Sequence, residues 1–254
     1  MMRRLSDIYC IFRIHLARLR AESGPFLLAA IVFPLGMYFF ANGVVRQDPN
    51  ELIPNYIKVH FVSASLVFSL SLTAISWFGY LLLENRFTGR LKLFAVLPVA
   101  SSSYILGVMV FALGQGVVGS FSLLLAARLL GVDFTVNSFE SVFLLIIVVL
   151  LAIFSLAGLS VVLAHRVRSF AAGSLMTDAL GGGLVLLAPI YYPAETLPVA
   201  FRWVSKALPT TYIFQAINKI LTGDLVIGTE LTVLCGMAAV TLFIGFWQLS
   251  WREA

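Results

Sequence analysis

Six stretches of this chain are long and apolar enough to cross a lipid bilayer, and nothing else constrains its fold as strongly. They cover roughly residues 25–45, 59–83, 104–127, 141–164, 172–192 and 229–250. About 20 apolar residues span the hydrocarbon core. Inside it every backbone N–H and C=O needs a partner in its own segment, so each stretch reads as a helix. A β-barrel would need alternating segments of about ten residues, whereas these runs are continuous. Of the 254 residues, 60% are hydrophobic and 11% charged; a soluble domain carries about a quarter charged. The expectation is one all-α membrane domain over 1–254. It has an interfacial segment at 1–23 and a six-helix membrane part at 24–254, with no length left for a large soluble domain.

The charges between the stretches give an orientation. Eleven Lys and Arg fall on the side of the two termini, and six fall on the other side, where most of the acids also lie. Positive residues collect in the cytoplasm, so both termini are expected there, which agrees with an even number of spans. The first stretch is not a cleavable signal, because a long charged segment precedes it. Pro34 inside it is expected to bend its helix, neighbouring helices taking up the freed carbonyl.

Three segments outside the spans are unusual. Residues 5–20 place Leu5, Ile8, Tyr9, Phe12, Leu16 and Leu19 on one helical face, with Arg4, Arg13, Arg18 and Arg20 flanking or opposing it. That is the pattern of a helix lying in the membrane interface, either an anchor to anionic lipid or a docking surface for a cytoplasmic partner. The loop 84–107 is too long for a tight turn and too apolar for a solvated one. Leu91, Leu93, Phe94 and Leu97 suggest a short amphipathic helix stopped by Pro98, with Ser101, Ser102 or Ser103 capping the next helix. Fixed between two spans, such a helix transmits a push to both, although a re-entrant structural loop has the same pattern. Residues 193–228 are semi-apolar and broken by Pro193, Pro198 and Pro209. They suggest two short helices that dip in from outside and return, with Trp203 at the interface and Arg202 and Lys206 reaching outward.

Ser65, Ser69, Thr73 and Ser76 form a weakly polar stripe on the second stretch, and Gln115 sits beside small residues on the third. They read either as the lining of a slightly polar path or as close packing through small side chains. Asp178 is the one acid placed within a span, Glu230 at the very start of the sixth stretch being counted outside, and it is expected near the cytoplasmic end, where it reaches the interface or pairs with Arg166 or Arg168. His15, His60 and His165 lie at span edges and suggest neither a proton relay nor a metal site. Cys10 and Cys235 have no metal-ligand spacing, and no disulfide is expected between them. No phosphate-cradling G-x-x-x-x-G-K-[ST] run is present, so no ATP chemistry is expected on this chain.

In order and spacing these segments resemble the ABC-2-type permeases. An acid at the end of the second span, a glycine, a Leu-rich turn, a proline and a Tyr-x-x-Gly entry to the third span appear here as Glu84, Gly89, Leu91, Pro98, Tyr104 and Gly107. After the fifth span come Pro193, the Leu197–Pro198 pair and Leu208–Pro209–Thr210–Thr211–Tyr212. The resemblance covers nearly the whole chain. It implies a permease that dimerises, with itself or a paralogue, in a plasma (inner) membrane and binds a separate cytoplasmic ATPase that holds ATP and Mg. It implies that 1–23 is a connecting helix carrying Arg4, Arg13, Arg18 and Arg20. It also implies a coupling helix between spans two and three, with Glu84, Arg86, Gly89, Arg90, Leu91, Lys92, Phe94 and Pro98 serving the ATPase contact. Finally, it implies short external helices whose Pro193, Pro198, Pro209 and Tyr212 close the outer end. One departure stands out: the family often has Glu two or three residues after the glycine, whereas Arg90, Leu91 and Lys92 follow Gly89 here.

The function expected from all this is export of an amphipathic, drug-like or lipid-like substrate, with no cofactor on this chain and no nucleic-acid partner. Polysaccharide or glycolipid export is the alternative within the family, but its members carry a basic, Tyr- and Gln-rich run leading to Leu-Gly-x-x-Trp where this chain reads ESGPFLLAAIVFPLG. An intramembrane enzyme needs a nucleophile and base at matching depth, and the histidines are too peripheral. A self-sufficient carrier predicts internal repeats and midplane ionisable groups, neither of which the sequence suggests.

Overall fold

The computed structural model describes residues 2–21, 24, 27–45, 54–96, 99–136, 138–192 and 198–247, and these form helices joined by turns, without a strand. In chain order they are α1 (Met2–Ala21), α2 (Phe33–Val45, continuing a π-helical turn over Leu28–Val32), α3 (Asn55–Phe87), α4 (Arg90–Val96), α5 (Ser101–Leu129), α6 (Phe139–Arg166), α7 (Phe170–Leu187), α8 (Val199–Ala207), α9 (Pro209–Thr222) and α10 (Gly228–Trp247). Four of these helices, α3, α5, α6 and α7, are long and apolar enough to cross a membrane, and α10 holds a shorter apolar stretch over Gly228–Ile244.

Proline sets several of the boundaries. The fifth stretch was expected to run to 192, but α7 stops at Leu187, with Ala188 extended at ψ 141°. Pro189 follows, and a residue before proline is pushed out of the helical region. Pro34 does not produce a sharp break. The turn before it widens instead, so that the Phe33 N–H reaches the Leu28 carbonyl five residues back, one of the ways a helix accommodates a missing donor. Pro209 sits at the first position of α9, where a missing N–H costs nothing. The serine cap expected on the third span is absent: Ala100 occupies the N-cap position, and Ser101, Ser102 and Ser103 form the first turn.

Helix α3 is the centre of the bundle. About 72% of its most apolar stretch is buried within the protein, against 28% for α7 at the periphery. Its amino-terminal half packs with α6 and α9 around Leu66, Leu70, Ile153, Leu156 and Ile213. Its other half packs with α1, α5 and α6 around Phe78, Leu83, Ile105 and Met109. A second widened turn, Leu72–Trp77, lies in the middle of α3, where the Phe78 N–H reaches back to Thr73. Ser160 of α6 inserts here and donates to the carbonyls of Ala74 (2.9 Å) and Ile75 (3.2 Å). The α6–α10 pair meets at Gly158, where an added Cβ would fall 2.5 Å from the carbonyl carbon of Thr241.

Candidate functional site

Two assemblies of side chains stand at opposite ends of α3. The first gathers α1, the 84–90 turn, α4 and the end of α6. Gly89 reverses the chain at φ 78°, a conformation open to glycine at little steric cost. Around it, Thr88 Oγ1 donates to the Glu84 carbonyl (2.7 Å), and Arg90 pairs with Glu84 at 3.5 Å. Arg86 does not project toward solvent. Its Nη1 donates to the carbonyls of Ala164 (2.5 Å), His165 (3.2 Å) and Val167 (3.0 Å). These are among the carbonyls that the end of a helix leaves without partners, and the negative end of the helix dipole attracts the guanidinium. One cation therefore ties the turn that launches α4 to the end of α6.

Helix α4 presents Leu93 and Val96 outward, 67% and 82% exposed, with exposed Arg90 and Lys92 beside them and Leu91 partly packed beneath. The side chain of Phe94 and all of Pro98 lie outside the described residues.

Helix α1 is docked on the protein along one stripe and exposed elsewhere. Ile11 is 2% exposed and His15 6%, the latter against Phe111 at 5.7 Å between ring centroids. Leu5 and Tyr9, placed by periodicity on the same face as Ile8 and Phe12, are about 60% exposed. The buried stripe is thus rotated toward Ile11 and His15. Arg4 and Arg13 are exposed, while the side chains of Arg18 and Arg20 lie outside the described residues. The Tyr-x-x-Gly entry to α5 now has a physical basis. Tyr104 accepts a buried hydrogen bond from Asn85 Nδ2 at 2.6 Å. At Gly107 a Cβ would lie 2.7 Å from Ile11 Cβ and 3.0 Å from the Ile8 carbonyl oxygen, so α1 crosses α5 where there is no side chain. Gly107→Val is expected to lift α1 at a cost of about 2 kcal/mol, measured as faster tryptic cleavage after Arg13 in the otherwise folded protein.

The second assembly is formed by α7, α8 and α9. Pro209–Thr210–Thr211–Tyr212 works as a stitch. Thr210 Oγ1 donates to Leu184 of α7 (2.9 Å), Thr211 Oγ1 to Ser205 (2.6 Å) and the Tyr212 hydroxyl to Lys206 (2.9 Å). The last two carbonyls close α8, and the Leu184 carbonyl lies in the last turn of α7. Pro198 takes the N-cap position of α8; Pro193 lies outside the described residues. Trp203 is exposed with Lys206 Nζ 5.1 Å from its ring centre. Lys219 is tied to Glu230 of α10 at 2.8 Å, and that hydrogen bond holds the Lys219 ammonium above the ordinary lysine range. Beside the stitch is a cavity of about 340 Å³ lined by His60, Pro189, Tyr191, Tyr192, Thr211, Phe214 and Gln215. His60 Nε2 donates to the Ile190 carbonyl at 2.7 Å; a carbonyl only accepts, so this nitrogen carries the proton.

Between the two assemblies lies the polar stripe. Ser65, Ser69 and Thr73 are each at most 2% exposed within this single chain, and Gln115 is 1% exposed with no side-chain hydrogen bond among the described residues. Ser76 donates to the Thr177 carbonyl (3.4 Å) and Ser71, one position off the stripe, to that of Gly181 (2.8 Å). No group of three or more His, Cys, Asp or Glu suited to a metal occurs among the described residues.

The inward turn of Arg86, the Asn85–Tyr104 bond and the Gly158 contact lay beyond the sequence reading. The carbonyls of a helix end carry no side-chain signature in the sequence, and the Arg at the end of α3 is the one local sign of the contact.

No curated protein sequence matches the chain. The sequence profile of the ABC-2 type transporter family matches residues 6–222, a range holding both assemblies and the glycine and proline motifs that shape them. With its apolar helices, this makes the protein a multi-pass membrane permease of an ABC transporter, and the chain belongs to the ABC-2 type transporter family.

Proposed function

We propose that this permease is the transmembrane half of an ATP-driven exporter that moves an amphipathic, drug-like or lipid-like molecule outward across a plasma membrane. Two such chains, identical or paralogous, work with a separate cytoplasmic ATPase, which supplies the ATP and Mg chemistry. Six helices span the membrane, the first and last being the expected stretches 25–45 and 229–250, with both termini in the cytoplasm. Helix α1 is the connecting helix and α4 the coupling helix. The α8–α9 pair, with Pro198, Pro209 and Tyr212, closes the outer end.

The observation that carries this reading is the mounting of α4. A helix of seven residues shows two apolar side chains and two cations outward, while Arg86, in the last turn of α3 just before it, bonds to the end of α6. An apolar pair ringed by positive charge suits a partner surface with an apolar pocket and an acidic rim. Burying Leu93 and Val96 supplies affinity, and the Arg86 link passes the push on to two spans.

The test is purification of the tagged chain from its native membrane in mild detergent, with its companions identified by mass spectrometry. A stoichiometric ATPase is expected. In a Leu93→Glu, Val96→Glu double variant the ATPase is lost, while the thermal stability of the permease changes by less than about 0.5 kcal/mol, since both positions are exposed. A chain that stays alone, or a double variant that keeps its ATPase, overturns the reading.

A further inference from the structure

Asp178 stands in the middle of a helix that the proposed architecture puts through the membrane. Because α7 runs from Phe170 to Leu187, Asp178 is the ninth of its 18 residues. The flanking hydrogen bonds fix its level independently. Thr177 is bonded from Ser76 and Gly181 from Ser71, and both serines belong to the central part of the 33-residue helix α3. Asp178 therefore lies near mid-depth, not at the cytoplasmic edge where the sequence alone put it.

It is also exposed on the outer surface of the chain, and no hydrogen bond or ion pair engages it among the described residues. A carboxylate facing hydrocarbon is strongly disfavoured, and acids at this depth face a water-filled cavity or a partner. A second copy of the chain offers no neutralising partner. No Lys or Arg occurs in 28–45, 59–85, 102–127, 141–165, 171–201 or 229–247, so no basic side chain comes from the centre of any apolar helix. An inorganic cation is poorly served as well, because it needs several oxygen ligands, whereas on α7 only Ser174, one turn back, adds a side-chain oxygen near Asp178, Thr177 being buried and bonded to the Ser174 carbonyl. On its face of α7, Leu175 and Leu186 are 73% and 66% exposed, and one turn on, Gly182 opens onto free space.

One carboxylate between exposed apolar side chains, with room beside it, matches a molecule of inverse design: an organic cation carrying apolar groups. We infer that Asp178 is the recognition carboxylate for a cationic amphipath, on a face of α7 that lines a water-accessible path. This deepens the export reading and rests on it for the direction of travel, but not for the binding itself.

The probe pair is tetraphenylphosphonium and tetraphenylborate, alike in shape and opposite in charge, measured by equilibrium binding to the purified full chain in nanodiscs. Tetraphenylphosphonium is expected to bind about 30-fold more weakly to Asp178→Asn than to the unaltered protein, and within about threefold of normal to Asp178→Glu. Tetraphenylborate binding is expected not to weaken in Asp178→Asn. Equal binding of tetraphenylphosphonium to the unaltered protein and Asp178→Asn overturns the inference. A second measurement needs no variant. Dicyclohexylcarbodiimide, which reacts with carboxyls in apolar surroundings, is expected to label Asp178 in the unaltered protein, and tetraphenylphosphonium but not tetraphenylborate is expected to block it. No labelling, or no protection, overturns the inference even where Asp178→Asn fails to fold. The two readings fail separately. Asp178-dependent binding in a chain that recruits no ATPase leaves the cation site and removes the exporter; an ATPase partner with charge-blind binding does the reverse.

Discussion

Gly158→Ala is expected to destabilise the folded protein by about 3 kcal/mol, the upper end of what an overpacked contact costs. The reason is geometric. The new Cβ would stand 2.5 Å from the carbonyl carbon of Thr241 and 2.6 Å from its oxygen. Neither atom can rotate away, so α10 as a whole must shift from α6, its most extensive neighbour. Helix propensity works the other way, since alanine is favoured over glycine by about 1 kcal/mol, and the overlap outweighs it. Gly116→Ala is the control. Its Cβ would meet Ile153 Cδ1 at 2.5 Å, but that atom is the far end of a flexible side chain. A rotamer change relieves it, and the net effect is expected to stay within about 1 kcal/mol. Thr241→Gly is expected not to rescue Gly158→Ala, because the carbonyl group remains. Thermal unfolding in detergent, followed by the monodisperse peak in size-exclusion chromatography, checks all three. A Gly158→Ala protein that melts with the unaltered one would show that α6 and α10 are not held at this distance.

The elements of the fold were largely legible because hydrophobicity and proline act locally. Apolar runs gave the long helices, the Leu-rich turn gave a short helix after Gly89, and Pro198 and Pro209 divided the segment after α7 into two. What eluded the sequence depends on neighbours far along the chain. Asp178 shows how one local error propagates: carrying the fifth span past Pro189 to 192 moved the acid toward one end, whereas a helix ending at Leu187 centres it. The serine stripe shows the limit of periodicity. Ser71, one position off the stripe, makes the contact with Gly181, and the widened turn at Leu72–Trp77 shifts the helical register just there. That turn needs Ser160, 85 residues away, to engage its carbonyls.

The segment around Gly89 is legible in the sequence as a motif but its connections are not, and Arg86 marks the difference. Arg86→Met is expected to cost about 2–4 kcal/mol, because a charge-assisted bond contributes about 1.5–3 kcal/mol and removal leaves several carbonyls without their donor. Arg86→Lys is expected to recover part of this, since an ammonium can reach one or two of the carbonyls but lacks the planar fork. A lowered melting temperature alone would fit any structural residue. The informative readout is the ratio of ATP hydrolysis to substrate efflux in the proposed exporter, reconstituted with its ATPase at a temperature where the variant is folded. Leu93 and Val96 remain exposed in Arg86→Met, so the ATPase is expected to stay bound and keep hydrolysing. The base of α4 is then no longer fastened to α6, and efflux is expected to fall at least about tenfold more than hydrolysis, a coupling loss of about 1.4 kcal/mol. If efflux and hydrolysis fall in proportion, Arg86 only stabilises the fold, and the push from α4 travels through α3 and α5 alone.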